Sequence, residues 1–427
     1  MTIGDKIRQL RIHKRMTQDK LVEGICSVAY LSRVENGKLK PSRIMLERIV
    51  NRLDISLSDL LNENISEKEK KIKDIIQIYQ TTKNVAEEEL NFLNISTKEP
   101  YPSYILVQIF GLLIRYYIDN KDIARAEQVY QVSQKTVSME YDNIYSEFYM
   151  NYYISCGILF YTTQIYSEAD RYFTMAENLI IEGDTIANAK LFYNISLVKQ
   201  RILKDKTLCL YYSKKAYDIF LFLGDTEHLS KVLITRGVQC HLIKDYKNSL
   251  VHLLEARENI DLSSDTNLNA MIEYNLGRVY QGLQEFDKSI AHFHESIKIN
   301  ESLDLEDEKV YSLKSLIEIY QQKKQWDLAH NFLQDAIKIA EDKNLNFVLI
   351  ELKALQIKSY YNREDYFRYE KEMQKIIEQG IELKQNIIVS KLAMEFAQYY
   401  YELRAYKKAA DYFKIALNHD DYLSNIP

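Results

Sequence analysis

Small and aromatic residues recur along most of this chain at intervals of about forty, a pattern that a single ordinary core does not produce. With Cys156 as anchor, Phe160 lies at +4, Ala169 at +13, Phe173 at +17 and Ala176 at +20. Forty residues on, Ser196 has Ala216 at +20; Arg236 has Ser249, Leu253 and Ala256; Leu276 has Tyr280, Ser289, Phe293 and Ser296. Leu316 has Tyr320, Ala329, Leu333 and Ala336, Gln356 keeps only Tyr360, and Phe396 has Tyr400, Ala409, Phe413 and Ala416. Backwards, Leu113 has Tyr117, Ala126, Tyr130 and Ser133 after a 43-residue step, and Lys73 opens a faint first copy with Ala86, Leu90 and Leu93. A unit of this length cannot bury its apolar face alone and must stack on its neighbours. Small residues at +13 and +20 let two helices cross closely, while a phenylalanine or tyrosine at +17 fills the gap between units. Only 4 Pro and 11 Gly among 427 residues also favour long helices, so the expected fold class is all-α.

The first sixty residues do not share the repeat. Ile3, Ile7 and Leu10 have helical spacing. Thr17 is an N-cap for a second helix over Gln18–Val22, Glu23–Cys26 forms a turn, and Ser27 caps a third helix over Val28–Asn36 that Gly37 ends. Arg43–Leu53 forms a fourth helix and Leu57–Leu61 a short fifth. Leu31 and Val34 share one face of the third helix, which leaves Val28, Ala29, Tyr30, Ser32 and Arg33 outward near its start. A recognition helix in a major groove needs that layout. Arg33 suits a guanine edge, Val28 or Ala29 a thymine methyl, and Ser32 either kind of partner. Gln18, Ser27, Lys38 and Lys40 complete the candidate DNA-binding set, the lysines and the start of the second helix as phosphate holders. Charge agrees: Met1–Leu61 has 12 Lys/Arg against 7 Asp/Glu, a balance of +5 on a chain of net charge −5. A basic head on an acidic body suits a head that meets phosphates.

The pattern IGDKIRQLR…MTQDKLVEG…SVAYLSRVENGKLKPS resembles the Xre/Cro-type helix-turn-helix over about sixty residues. That resemblance implies an internal ion pair between Arg11 and Glu35, a structural role for both. The forty-residue unit is similar to a lengthened tetratricopeptide (TPR) repeat, which implies a right-handed superhelix of about eight to nine repeats over Ile72–Asp420. The expected domains are therefore 1–61 (DNA-binding), 62–71 (a polar linker, NENISEKEKK) and 72–427 (peptide-binding and dimerisation). In the TPR pattern, groove-facing places lie at −5, −2, +2 and +5 from the anchors used here. Read off this sequence, these columns include Arg115, Asn151, Tyr161, Asn194, Arg201, Lys231, Tyr274 and Arg278, the candidate peptide-binding residues, and also His241, Gln281, Lys314, Glu318 and Glu351. Asn151 and Asn194 can each bridge a peptide N–H and C=O. The arginines and Lys231 suit a carboxylate.

An Xre-type head followed by a TPR-like array resembles the RNPP family (Rap, NprR, PlcR, PrgX, with Rgg as kin), nearest its NprR- and PlcR-like members. The resemblance implies a cytoplasmic, homodimeric regulator in a Gram-positive bacterium. It would bind double-stranded DNA at a palindromic operator under control of an imported short signalling peptide. A Rap-like reading, in which the repeats bind a phosphorelay response regulator, stands as the alternative.

Other chemistry finds no footing in the sequence. There is no Walker loop, GxGxxG, HExxH or GxSxG, so no catalytic residues, cofactor or metal are expected. His292 and His294, two apart on a predicted helix, point different ways. Cys26, Cys156, Cys209 and Cys240 are scattered, as small buried side chains in a reducing compartment would be. No apolar run is long enough to span a membrane.

Overall fold

The structure is a computed structural model, and it describes residues 3–55, 57, 60, 64–99, 101–138, 143–180, 183–260, 266–383 and 385–419. The described secondary structure is helical throughout, and the chain forms two compact units, Met1–Gly183 and Asp184–Pro427.

The first unit opens with four short helices: α1 (Ile3–His13), α2 (Gln18–Val22), α3 (Val28–Glu35) and α4 (Arg43–Leu53). Side-chain caps set three of their starts: Thr17, Ser27 and Ser42 accept from the backbone N–H of Lys20, Tyr30 and Met45. Ile7, Leu21, Leu31, Leu46, Ile49 and Leu53 form a fully buried core. α1 lies so close to α3 that a Cβ on Gly4 would sit 1.9 Å from the Val34 carbonyl oxygen. Arg52 of α4 ties back to the end of α2 by donating to the Glu23 carbonyl at 2.7 Å. The short fifth helix expected at Leu57–Leu61 falls largely outside the described residues; Leu57 and Leu60 are helical and Leu60 is fully buried. Of the expected linker 62–71, the residues from Asn64 onward belong to a helix.

Three helix pairs complete this unit: α5/α6 (Asn64–Thr82, Glu87–Ser96), α7/α8 (Ser103–Asp119, Ile123–Thr136) and α9/α10 (Ser146–Thr162, Tyr166–Glu177). Six more pairs build the second unit: α11/α12 (Ile186–Ile202, Thr207–Leu223), α13/α14 (Thr226–Leu242, Tyr246–Asn259), α15/α16 (Thr266–Gly282, Phe286–Ser302), α17/α18 (Glu306–Gln322, Trp326–Asp342), α19/α20 (Asn346–Asn362, Tyr366–Glu382) and α21/α22 (Asn386–Glu402, Tyr406–Asn418).

The repeat pattern is legible in the packing. Ala169, Ser249, Ser289, Ala329 and Ala409 at +13 are buried, as are Ala176, Ala216, Ala256, Ser296, Ala336 and Ala416 at +20. Beside the anchors, a Cβ on Gly157, Gly237 or Gly277 would lie 2.5–2.7 Å from the +17 side chain of its own hairpin: Phe173, Leu253 or Phe293. The +13 serines close the same joint, since Ser249 and Ser289 each donate at 2.7 Å to the carbonyl of Gly237 and Gly277. The turn between paired helices also repeats. Gln164, Lys244, Gln284, Lys324, Glu364 and Arg404 adopt φ of 59–63°. In each case the next residue's N–H returns to a carbonyl five back, as from Asp245 to Cys240 at 2.9 Å. The fourth pair departs: α11 ends at Leu203 in extended backbone, and α12 begins one residue late.

Candidate functional sites

The candidate DNA face is assembled by the α2–α3 turn. Gly24 turns the chain at φ 72° and Ser27 caps α3, so the first turn of α3 stands clear of the core. Ser27, Val28, Ala29 and Arg33 are exposed, as are Lys38 and Lys40 just beyond the helix. Tyr30 and Ser32 are half-buried, and the Tyr30 ring packs against the head's core. Asn36, which sequence reasoning passed over, donates to the Ser32 carbonyl at 2.7 Å and holds the end of α3.

Beneath this face lies the ion pair that the family resemblance implied. Arg11 grips Glu35 through two parallel bonds, Nε to Oε1 at 2.7 Å and Nη2 to Oε2 at 2.9 Å, and its Nη1 donates to the Met16 carbonyl at 2.9 Å. Glu35 is 2% exposed. Gln18 adds a third bond, Nε2 to Glu35 Oε2 at 2.7 Å. The Gln18 amide is thus turned inward, and what the start of α2 offers outward is backbone. Burial alone would raise the Glu35 carboxyl's pKa, but the bonds from Arg11 and Gln18 outweigh it and hold it below the ordinary range.

In the first unit, the groove-column residues lie on α7 and α9. Arg115 pairs with Asp119 one turn on (3.0 Å), and Asp119 also accepts from the Tyr79 hydroxyl at 2.6 Å. Asn151 is exposed, and Tyr161 meets the Tyr166 ring edge-on at 5.5 Å.

In the second unit, Asn194 is half-buried and Arg201 exposed on α11, and Lys231 on α13 is held by Glu227 at 2.6 Å. Tyr274 and Arg278 come together on α15, Nη1 donating to the tyrosine oxygen at 3.2 Å. Around them the structure gathers groove-column residues that carried no assigned role. Gln281 donates to Glu318 at 3.4 Å, and Lys314 bonds Glu351 at 2.5 Å. Both bonds join adjacent first helices across 37 residues, a diagonal between columns that the repeat length contains but that a reading down single columns misses. Among the described residues, no group of three or more His, Cys, Asp or Glu could hold a metal ion, and no helix is long and apolar enough to cross a membrane.

Comparison with known proteins agrees with this geometry. Residues 7–60 match the helix-turn-helix family and residues 268–342 the tetratricopeptide repeat family. The transcriptional activator NprA of Geobacillus stearothermophilus is 22% identical over 415 residues, covering 93% of this chain and 98% of that protein. Among solved structures, a Rap protein complexed with competence and sporulation factor superposes with a TM-score of 0.64 at 15% identity, covering 84% of this chain and 98% of that one. NprR in complex with its cognate peptide NprX gives 0.59 at 17% identity, covering 83% and 99%. At such identities the solved structures establish the fold. The fold and its two sites define a helix-turn-helix protein with a TPR-like repeat body. In that architecture the chain resembles the RNPP family.

Proposed function

We propose that this protein is a transcriptional regulator whose affinity for an operator is set by a short peptide bound along the first helices of its repeats. The observation that carries the reading is the exposed start of α3, with Arg33, Lys38 and Lys40 facing out over a core locked by the Arg11–Glu35 pair. A rigid platform presenting cations and small side chains at a helix start is what major-groove reading requires. The likeness to a transcriptional activator over nearly the whole chain supports the same reading, and the NprR–NprX complex supports a peptide ligand. Right-handed coiling of the hairpins within each unit, eight to nine repeats in all, is part of this proposal. A homodimer would present two heads to the halves of a palindromic operator. A peptide then acts by binding one arrangement of the heads more tightly than the other.

The test is selection of genomic fragments by the full-length protein, with and without peptide. A recovered palindrome is expected, with affinity that falls steeply with salt. Arg33→Ala should lower affinity about ten- to a hundredfold by removing a base contact. Selection of no shared sequence in any condition would refute the reading. The likeness to a Rap protein favours a second activity, binding of a phosphorelay response regulator by the repeats. Capture of purified response regulators by the full-length protein tests it, and failure to retain any of them removes it.

A further inference from the structure

The anchor of the repeat is Leu316 in the seventh hairpin and Phe396 in the ninth, but Gln356 in the eighth. Beside Gln356, between the seventh and eighth hairpins, lies a cavity of about 80 Å³. Trp326 and His330 line it from α18, Ser359 and Tyr360 from α19, Gln321 from the end of α17, and Arg363 from just past α19. His330 and Arg363 are exposed and mark its solvent side. The volume is well below the roughly 300–1,000 Å³ of a site for a drug-sized ligand and suits a group of a few heavy atoms. Only Gln321, at +5 from Leu316, belongs to a groove column, so the cavity is not part of the peptide site.

The chemistry left open in this cavity is of one kind. Gln321 donates its amide to the Leu355 carbonyl at 3.0 Å, and Ser359 its hydroxyl to the Gln356 carbonyl at 2.6 Å. The Tyr320 and Tyr360 carbonyls, near the ends of α17 and α19, are taken by the repeated turn, from Gln325 N–H at 2.8 Å and Asp365 N–H at 3.0 Å. There remain the Trp326 indole N–H, the Gln356 amide, the Tyr360 hydroxyl, the His330 imidazole and the Arg363 guanidinium. None of these side chains has a hydrogen bond or ion pair among the described residues. All five can donate, one is a permanent cation, and no Asp or Glu lines the cavity. A lining of free donors around a cation suits a hydrogen-bond acceptor that carries negative charge.

We propose that this cavity binds a small oxyanion, which accepts from Arg363, from Gln356 and Tyr360 on the eighth hairpin, and from Trp326 on the seventh. The shared chemistry is a phosphate or carboxylate group, free or at the end of a small molecule whose remainder extends past His330 and Arg363 into solvent. Bound there, the anion bridges two successive hairpins.

Trp326 is the only tryptophan in the chain, so tryptophan emission reports on this cavity directly. The full-length protein is titrated with inorganic phosphate, methyl phosphate and acetate, at an ionic strength held constant with sodium chloride. At least one of the three should change the emission with saturation, half-complete at about 1 mM or below, and should raise the thermal midpoint. Methyl phosphate binding more tightly than phosphate identifies a carried group, the reverse a free ion, and tighter binding of acetate a carboxylate. Arg363→Met should weaken binding about tenfold or more. Gln356→Leu, which sets the preceding copy's residue at this anchor, should weaken it at least as much without lowering the thermal midpoint. A saturable response of undiminished affinity in Arg363→Met overturns the site, since Arg363 is exposed and its replacement leaves the fold intact. A response matched by chloride, or one that does not saturate, means an adventitious ion only and overturns it as well. So does the absence of any response.

Discussion

Two half-buried arginines, one in the head and one in the repeats, differ in how completely they are paired. Arg11 uses all three guanidinium nitrogens within its own domain, two on Glu35 and one on the Met16 carbonyl. Arg278 reaches one tyrosine and leaves Nε unpaired, with the nearby carboxylates bonded elsewhere. Saturated polar groups hold a fold in one conformation, whereas a buried polar atom left unpaired costs free energy.

The largest effect should follow from breaking the head's pair. Glu35→Ala strands Arg11 beneath α3, and loss of one partner of a buried pair costs about 3–5 kcal/mol. Amide hydrogen exchange across α1–α3 of the full-length protein should accelerate accordingly, with exchange in the second unit unchanged. Unchanged exchange in the head would mean the pair is not what holds it. Acid should do the same reversibly. Glu35 has a lower pKa folded than unfolded, so its contribution is fully present above the ordinary carboxylate value of about 4.3 and is lost as pH falls through the folded value. Head exchange should rise on acidification below about pH 4, and Glu35→Gln should flatten that dependence.

Overpacking of the repeats should cost less. Gly277→Ala puts a methyl 2.7 Å from the Phe293 ring, a cost of about 1–3 kcal/mol, visible as a lower midpoint in thermal unfolding. Lys244→Gly relieves a left-handed residue at a hairpin turn and should raise stability by about 0.5–1 kcal/mol by the same measurement. Arg278→Met sharpens the comparison most directly: removing an incompletely paired cation should leave stability within about 1 kcal/mol, in contrast to Glu35→Ala. A loss as large as that of Glu35→Ala would place Arg278 with the scaffold.

Much of the fold was legible because its determinants are local or periodic. Thr17 and Ser27 cap helices where their sequence context places them, and the +13, +17 and +20 residues pack as their sizes demand. The repeated left-handed turns were not legible, since Lys244, Gln284 and Arg404 share no chemistry that marks φ > 0. Their place is set by the Schellman bond at the end of each first helix. In the head, Gln18 looks from sequence like an outward residue at a helix start, yet Glu35, seventeen residues on, draws it inward.

By itself, the sequence determined the architecture: a capped, basic helix-turn-helix followed by stacked hairpins, because caps, turns and helix crossings depend on which residue stands at which spacing. It also named the columns of side chains that share a face. Only the tertiary structure decided which of those side chains are already paired. Lys231 is paired from its own helix, whereas Arg278 bonds only Tyr274 while Gln281 and Lys314 bond Glu318 and Glu351. Hydrogen bonds fall off within a fraction of an ångström of their optimum, and that distance is set by how neighbouring hairpins pack rather than by any spacing along the chain.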